Sequence, residues 1–278
     1  MTTEFDNASF VRVASALRSY LDDIVVVGGW AHRLFRLHPL ALTVDVRPLM
    51  TMDADVAAPN RLRGRGRTLR ELLSEAGFRE HLSGHDTPPR TEYHFDERSG
   101  VYVQFITPLA GDGYRRDGRP DATHLIQGIA AEKLRYIDLL LLAPWTVQLS
   151  EAAGYPVGPE SVPVKICNPV SYLAQKVLSL PSRRREKRGK DVLYIYDTLL
   201  LFGGALEELR LIWSVSVRPG LSKKALRGVM QSPESLFGRV TDSIREASIQ
   251  AESSTGRRIR GHDLARTCQM GLSELFAA

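Results

Sequence analysis

The chain has 278 residues, 43% hydrophobic and 25% charged, a balance that excludes a disordered or fibrous protein and allows one large domain or two modest ones. The net charge of +5 is gathered into two arginine-rich stretches, and clusters of that kind attract phosphate, free or polymeric. Two cysteines, Cys167 and Cys268, exclude a disulfide framework, and the longest apolar run, 139–144, is too short to cross a bilayer. The expectation is a cytoplasmic protein with no signal segment and no membrane association.

In chain order, Phe10, Val13, Ala14, Leu17 and Leu21 recur at helical spacing and predict an amphipathic helix over 8–21. Ile24, Val25, Val26 and Val27 end in Gly28-Gly29, which predicts a buried strand turning tightly into a helix over 30–37. Strands are predicted over 42–46 and 50–56, a short helix over 68–76, and a hairpin of 91–95 with 101–107 around residues 96–100. Residues 108–123 read as a surface loop, and 147–149 and 162–166 as later strands. From about residue 168 helical periodicity takes over, at 169–180, 190–202, 205–215, 222–230, 233–252 and 261–276. The fold class expected is α/β (α+β), with a mixed β-sheet and helices over 1–167 and a mostly helical half over 168–278.

Two features point to chemistry. A strand that ends in Gly28-Gly29 and enters a helix exposes backbone N–H groups at a positive helix end, where phosphate binds without a side chain. A plain tight turn is the other reading, and no G-x-G-x-x-G or P-loop lysine is present. Asp53 and Asp55, two apart in a predicted strand, share one face, and their repulsion is relieved by a cation. Hard oxygen ligands at that spacing suit Mg²⁺ shared with substrate phosphates, while a solvated strand face is the alternative for a bare Asp-x-Asp. The denser basic run comprises Arg183, Arg184, Arg185, Lys187, Arg188 and Lys190. The other, Arg61 to Arg70, is explained equally well as solvated surface. The seven histidines show no zinc-protease or hydrolase spacing and read as surface or satisfied core residues; His32, one turn past Gly29, is the one to test near a nucleotide.

Gly28-Gly29 followed by Thr51-x-Asp53-x-Asp55 resembles the signature of the DNA polymerase beta-like nucleotidyltransferase superfamily. Ala174-Gln-Lys176, then Arg188-Gly-Lys190-Asp191 running on to Asp197, is similar to the later motifs of its AbiEii-like branch. That branch holds the toxins of type IV toxin–antitoxin and abortive-infection systems, with relatives of unknown role. The resemblance spans roughly residues 20–200. It implies an enzyme that moves a nucleoside monophosphate from an NTP to an acceptor hydroxyl, of tRNA, other RNA or protein, with Mg²⁺ or Mn²⁺ as cofactor and a cognate antitoxin as partner. By the same resemblance Asp53 and Asp55 hold metal, and Gly28, Gly29, Lys176 and Lys190 bind nucleotide. Lys176 and Asp191 complete the catalytic set, with the helical half closing the cleft. Arg183, Arg184, Arg185 and Arg188 attract RNA.

The residues also admit plainer uses. Lys176 reads equally as an exposed helix lysine and Asp191 as a carboxylate at a helix start after Gly189. Tyr194, Tyr196 and Asp197 read as structural. The alternative function is a weakened nucleotidyltransferase-fold protein that binds nucleotide, RNA or a partner without turnover. Trp30 beside Gly29 and Gln104, on a strand where polymerase-like members carry a further carboxylate, point that way.

Overall fold

The computed structural model describes residues 3–51, 53–85, 88–95 and 101–277. The chain forms two compact units, Met1–Ala31 with Thr51–Cys167, and His32–Met50 with Asn168–Ala278.

The first unit is a mixed sheet. Its strands are β1 (Val25–Val26), β2 (Asp53–Ala57), β3 (Arg79–Ser83), β4 (Arg90–His94), β5 (Tyr102–Pro108), β6 (Thr123–Ile126), β7 (Ile129–Leu134), β8 (Trp145–Leu149) and β9 (Val162–Ile166). The order is β3-β4-β5-β2-β1-β9-β8, and β7 joins β5 while carrying β6. Pairs β1–β9, β2–β5 and β5–β7 are parallel and the others antiparallel. Along β4, and over the first four residues of β2 and β5, buried and half-buried residues alternate. Ala54, Val56, Tyr93, Val103 and Phe105 point into the core, so the intervening polar residues share the opposite face.

Helix α1 (Thr3–Ala16) and the short α2 (Gly28–Leu34) flank β1 in sequence; Phe10 of α1 stacks on Trp30 of α2 with ring centroids 4.2 Å apart. Helix α3 (Leu69–Glu75) starts where Thr68 and Glu71 cap each other's backbone N–H groups. Helix α4 (Ile137–Leu140) takes up part of the apolar run, and no described helix is long and apolar enough to cross a membrane.

The second unit holds α5 (Pro169–Ser179), α6 (Arg185–Leu201), α7 (Leu206–Ile212), α8 (Lys223–Phe237), α9 (Asp242–Thr255) and α10 (Gly261–Leu275). Asn168 caps α5 by accepting from the Ser171 N–H at 2.8 Å, with Pro169 in the first helical position.

Several expectations differ from the structure. Residues 42–46 form no strand: that stretch lies between Pro39 and Pro48, and the Leu42 N–H donates to the Leu201 carbonyl at 2.7 Å, not to a ladder. Strand β3 and the β6–β7 hairpin were not expected. The hairpin turns at Gln127 and Gly128, both at positive φ (46° and 82°), the conformation a two-residue turn demands. The expected turn at 96–100 lies outside the described residues. Helix α6 starts at Arg185, not at residue 190, and Gly189 lies inside it. A Cβ there would come within 3.1 Å of the Glu246 and Ala247 backbone, so the glycine permits close approach of α6 to α9. Helix α8 runs through Pro233 instead of ending before it. The Val229 carbonyl that Pro233 cannot serve accepts the Ser232 hydroxyl at 2.7 Å.

Asp197 on α6 is buried and takes a two-pronged ion pair from Arg257 just past α9, at 2.6 and 2.9 Å. Removing one partner leaves a buried charge without its counterion. Arg257→Met is therefore expected to destabilise the second unit by about 3–5 kcal/mol in urea unfolding, and Asp197→Asn on top of it to recover part of that loss.

Candidate functional site

In the first unit the two aspartates stand at alternate positions of β2, both half-buried on the polar face of the sheet. The Thr51 hydroxyl donates to Asp53 Oδ1, and the Gln104 side-chain amide donates to Asp55 Oδ1 from the facing position on β5. The Val27 N–H donates to the Asp55 carbonyl at 2.9 Å, which brings the glycine turn against β2. Gly28 has φ +63°, and a Cβ there would collide with the Asp55 carboxylate. Glycine is thus required twice over, by its backbone conformation and by the close approach of Asp55. Trp30, two residues on, is fully buried against Phe10, so its indole fills core and does not crowd the glycine turn.

The two carboxylates supply hard oxygens on one face, which fits Mg²⁺ or Mn²⁺. No group of three or more His, Cys, Asp or Glu side chains among the described residues is arranged to hold a metal by itself. Such a cation would need phosphate oxygens and water to complete its shell, as Mg²⁺ ordinarily does.

The second unit contains a cationic cluster around a buried ion pair. Lys176 on α5 donates to Asp191 Oδ1 on α6 at 2.6 Å; their side chains are only 9% and 4% exposed. Arg183 lies 3.1 Å from the other Asp191 oxygen. Lys176 Nζ sits over two aromatic rings, 5.4 Å from Tyr172 and 5.2 Å from Tyr194. Lys190 Nζ is 5.7 Å from the Tyr194 ring and donates to the Met50 carbonyl at 3.0 Å. One carboxylate against three cations leaves positive charge for a phosphate. Lys176 is therefore not an exposed helix lysine, and Asp191, well inside α6, does not serve a helix start.

Helical spacing could have revealed the tyrosines: Tyr172 is one turn before Lys176, and Tyr194 one turn after Asp191. Among the expected RNA contacts, Arg188 is engaged at home, donating to the Arg183 and Pro181 carbonyls at 2.8 and 3.1 Å. Arg184 and Arg185 are exposed, the latter 3.5 Å from Glu246.

His32 lies outside the reach of solvent, at 0% exposure. Its ring packs 4.8 Å from Tyr194, with Phe35 and Tyr172 near, and neither ring nitrogen has a hydrogen-bond partner among the described residues. Burial, then the charges of Arg36, Lys176, Arg257 and Lys190, hold its pKa well below the usual 6.5. It is a neutral packing residue behind the tyrosines.

A family model described as nucleotidyltransferase matches residues 8–217. The chain belongs to that family. Two solved structures are also similar to this nucleotidyltransferase. One is an antigenic nucleotidyltransferase-like protein from Paracoccidioides brasiliensis, with 18% identity, 72% of this chain and 77% of the other covered, and a TM-score of 0.38. The other is MenT4, a nucleotidyltransferase toxin from Mycobacterium tuberculosis, with 15% identity, 100% and 86% covered, and a TM-score of 0.36. No curated protein matches.

The state of His32 sets a pH dependence. In the unfolded chain it takes a proton below about pH 6.5, whereas the folded protein resists protonation, so its contribution to stability falls as pH drops below that value. Thermal melts of wild type and His32→Phe are expected to diverge in slope between about pH 6.5 and 5, with the variant losing less stability.

Proposed function

We propose that this nucleotidyltransferase moves a nucleoside monophosphate from an NTP to a hydroxyl of RNA, with the 3′ end of tRNA as acceptor. We further infer that it is an AbiEii-like toxin held in check by a cognate antitoxin protein. The observation that carries the transfer reading is the placement of Asp53 and Asp55 side by side on β2, with Asp55 against the Gly28 turn. The toxin assignment draws on the resemblance of the Lys176 and Arg188-Gly-Lys190-Asp191 motifs. In the reaction the acceptor oxygen attacks the α-phosphorus, a P–O bond forms, the bond to pyrophosphate breaks, and the hydroxyl proton passes to a base.

Mg²⁺ or Mn²⁺, held by Asp53 and Asp55, supplies positive charge to the phosphates when bound. The Gly28-Gly29 backbone cradles phosphate, and Gly28 cannot be larger without displacing Asp55. Lys176 pairs with a β- or γ-phosphate as a point charge, with Asp191 and the two tyrosines fixing its ammonium. Lys190 adds charge from the same helix as Asp191. Arg184 and Arg185 meet the RNA backbone through long-range attraction.

A second reading has one observation behind it. The Gln104 amide occupies an Asp55 oxygen that a metal would need, which favours a protein that binds nucleotide or RNA without turnover. Incubation with each α-labelled NTP, Mg²⁺ and a purified tRNA mixture decides between them. Labelled tRNA supports transfer; binding of NTP without labelling supports the second reading.

Calorimetry of NTP binding is expected to show strong Mg²⁺ dependence in wild type and none in Asp53→Ala/Asp55→Ala; equal binding by both would remove the metal assignment. Lys176→Ala and Asp191→Ala are each expected to lower transfer by about 100-fold or more, with the double variant no worse than either single one, because one unit is broken each way.

A further inference from the structure

The polar face of the sheet carries more than two aspartates. The register across β3, β4, β5 and β2 aligns His81, Glu92, Gln104 and Asp55 in one row and Arg79, His94, Tyr102 and Asp53 in the next. Residues opposite one another on neighbouring strands share a face, so the two rows form one polar surface. Within it Glu92 and His94 form a unit. His94 Nε2 is 3.4 Å from Glu92 Oε2, within reach of a hydrogen bond. Glu92 Oε1 accepts the Ser83 hydroxyl at 2.8 Å. The His94 ring stacks on Tyr102 with centroids 5.1 Å apart and meets the His81 ring at 4.7 Å. Both side chains are about one-fifth exposed, at 22% and 23%: held in place, yet open to a ligand.

A carboxylate on one ring nitrogen fixes the tautomer. With Nε2–H toward Glu92, Nδ1 keeps its lone pair, and it has no hydrogen-bond partner among the described residues. The groups facing His94 are Glu92 on its own strand, His81 and Arg79 from β3, Tyr102 from β5 and, beyond it, Asp53 on β2. Arg90, also on the polar face of β4, is drawn away by Glu132 at 3.2 Å. Two strand spacings, about 10 Å, separate β4 from β2, with Gln104 and Tyr102 between. Gln104 itself can take no proton.

We propose that His94, oriented by Glu92, is the acceptor-side base of this nucleotidyltransferase. Nδ1 takes the proton of the acceptor hydroxyl while its oxygen bonds to the α-phosphorus and the bond to pyrophosphate breaks. The Glu92 carboxylate balances the imidazolium that results. The inference rests on the transfer reading above and extends it.

The test uses the full chain, the NTP that labels tRNA, and the variants His94→Ala and Glu92→Gln. Calorimetry is expected to show NTP binding unchanged in both. His94→Ala is expected to lose about 100-fold or more in kcat, within the usual worth of a general base, together with the acid limb of the wild-type pH profile. Added imidazole should restore kcat without changing KM for tRNA, which a purely structural role would not allow. If His94→Ala does not fold, Glu92→Gln tests the same base through its own loss of kcat and shifted acid limb. An active wild type whose folded variants keep kcat within about threefold and the same pH profile would overturn the base assignment alone. A silent wild type would overturn the transfer reading and the base with it.

Discussion

The parallel pairing of β2 with β5 is the constraint from which the sheet's chemistry follows. It sets Asp53 against Tyr102 and Asp55 against Gln104, and with period two it sends Ala54, Val56, Val103 and Phe105 into the core. A slip of one residue would bury both carboxylates and expose the aliphatic set. The hydrophobic side of the strands therefore enforces the geometry of the polar side. Tyr102 registers the resulting field: its phenol is pushed up to about 12 by burial, then by Asp53, Glu92 and Asp55.

The glycine turn belongs to the same arrangement. Gly28 gives up a side chain so that the Asp55 carboxylate can lie against the start of α2, and Trp30 seals the turn from behind by stacking on Phe10. Trp30, which in the sequence pointed toward a weakened protein, is a core anchor.

In the helical unit the organising interaction is the buried Lys176–Asp191 pair. Burying an ion pair costs desolvation that its attraction only roughly offsets, so it is poor evidence of stability. The tyrosine faces and the neutral His32 behind them solvate the lysine without cancelling its charge. The Asp197–Arg257 pair instead joins α6 to the end of α9.

The sequence by itself determined the element types around the chemistry. Asp53 and Asp55 lie on a strand because of two-residue alternation, and Lys176 and Asp191 lie on consecutive helices because of helical periodicity. Nucleotidyltransferase membership was also legible, from short motifs in a fixed order. Tertiary structure decided the rest. Residues 42–46 had the alternation of a strand but found no partner, because pairing is a property of two segments. Gly189 looked like a helix boundary and is a packing device, since only the nearness of α9 shows why a Cβ is excluded. The hairpin that carries Glu92 and His94 was legible in sequence, but its alignment with Asp53 and Asp55 was not, because β2 and β5 lie far apart along the chain and become neighbours only through register, which burial of the opposite face sets.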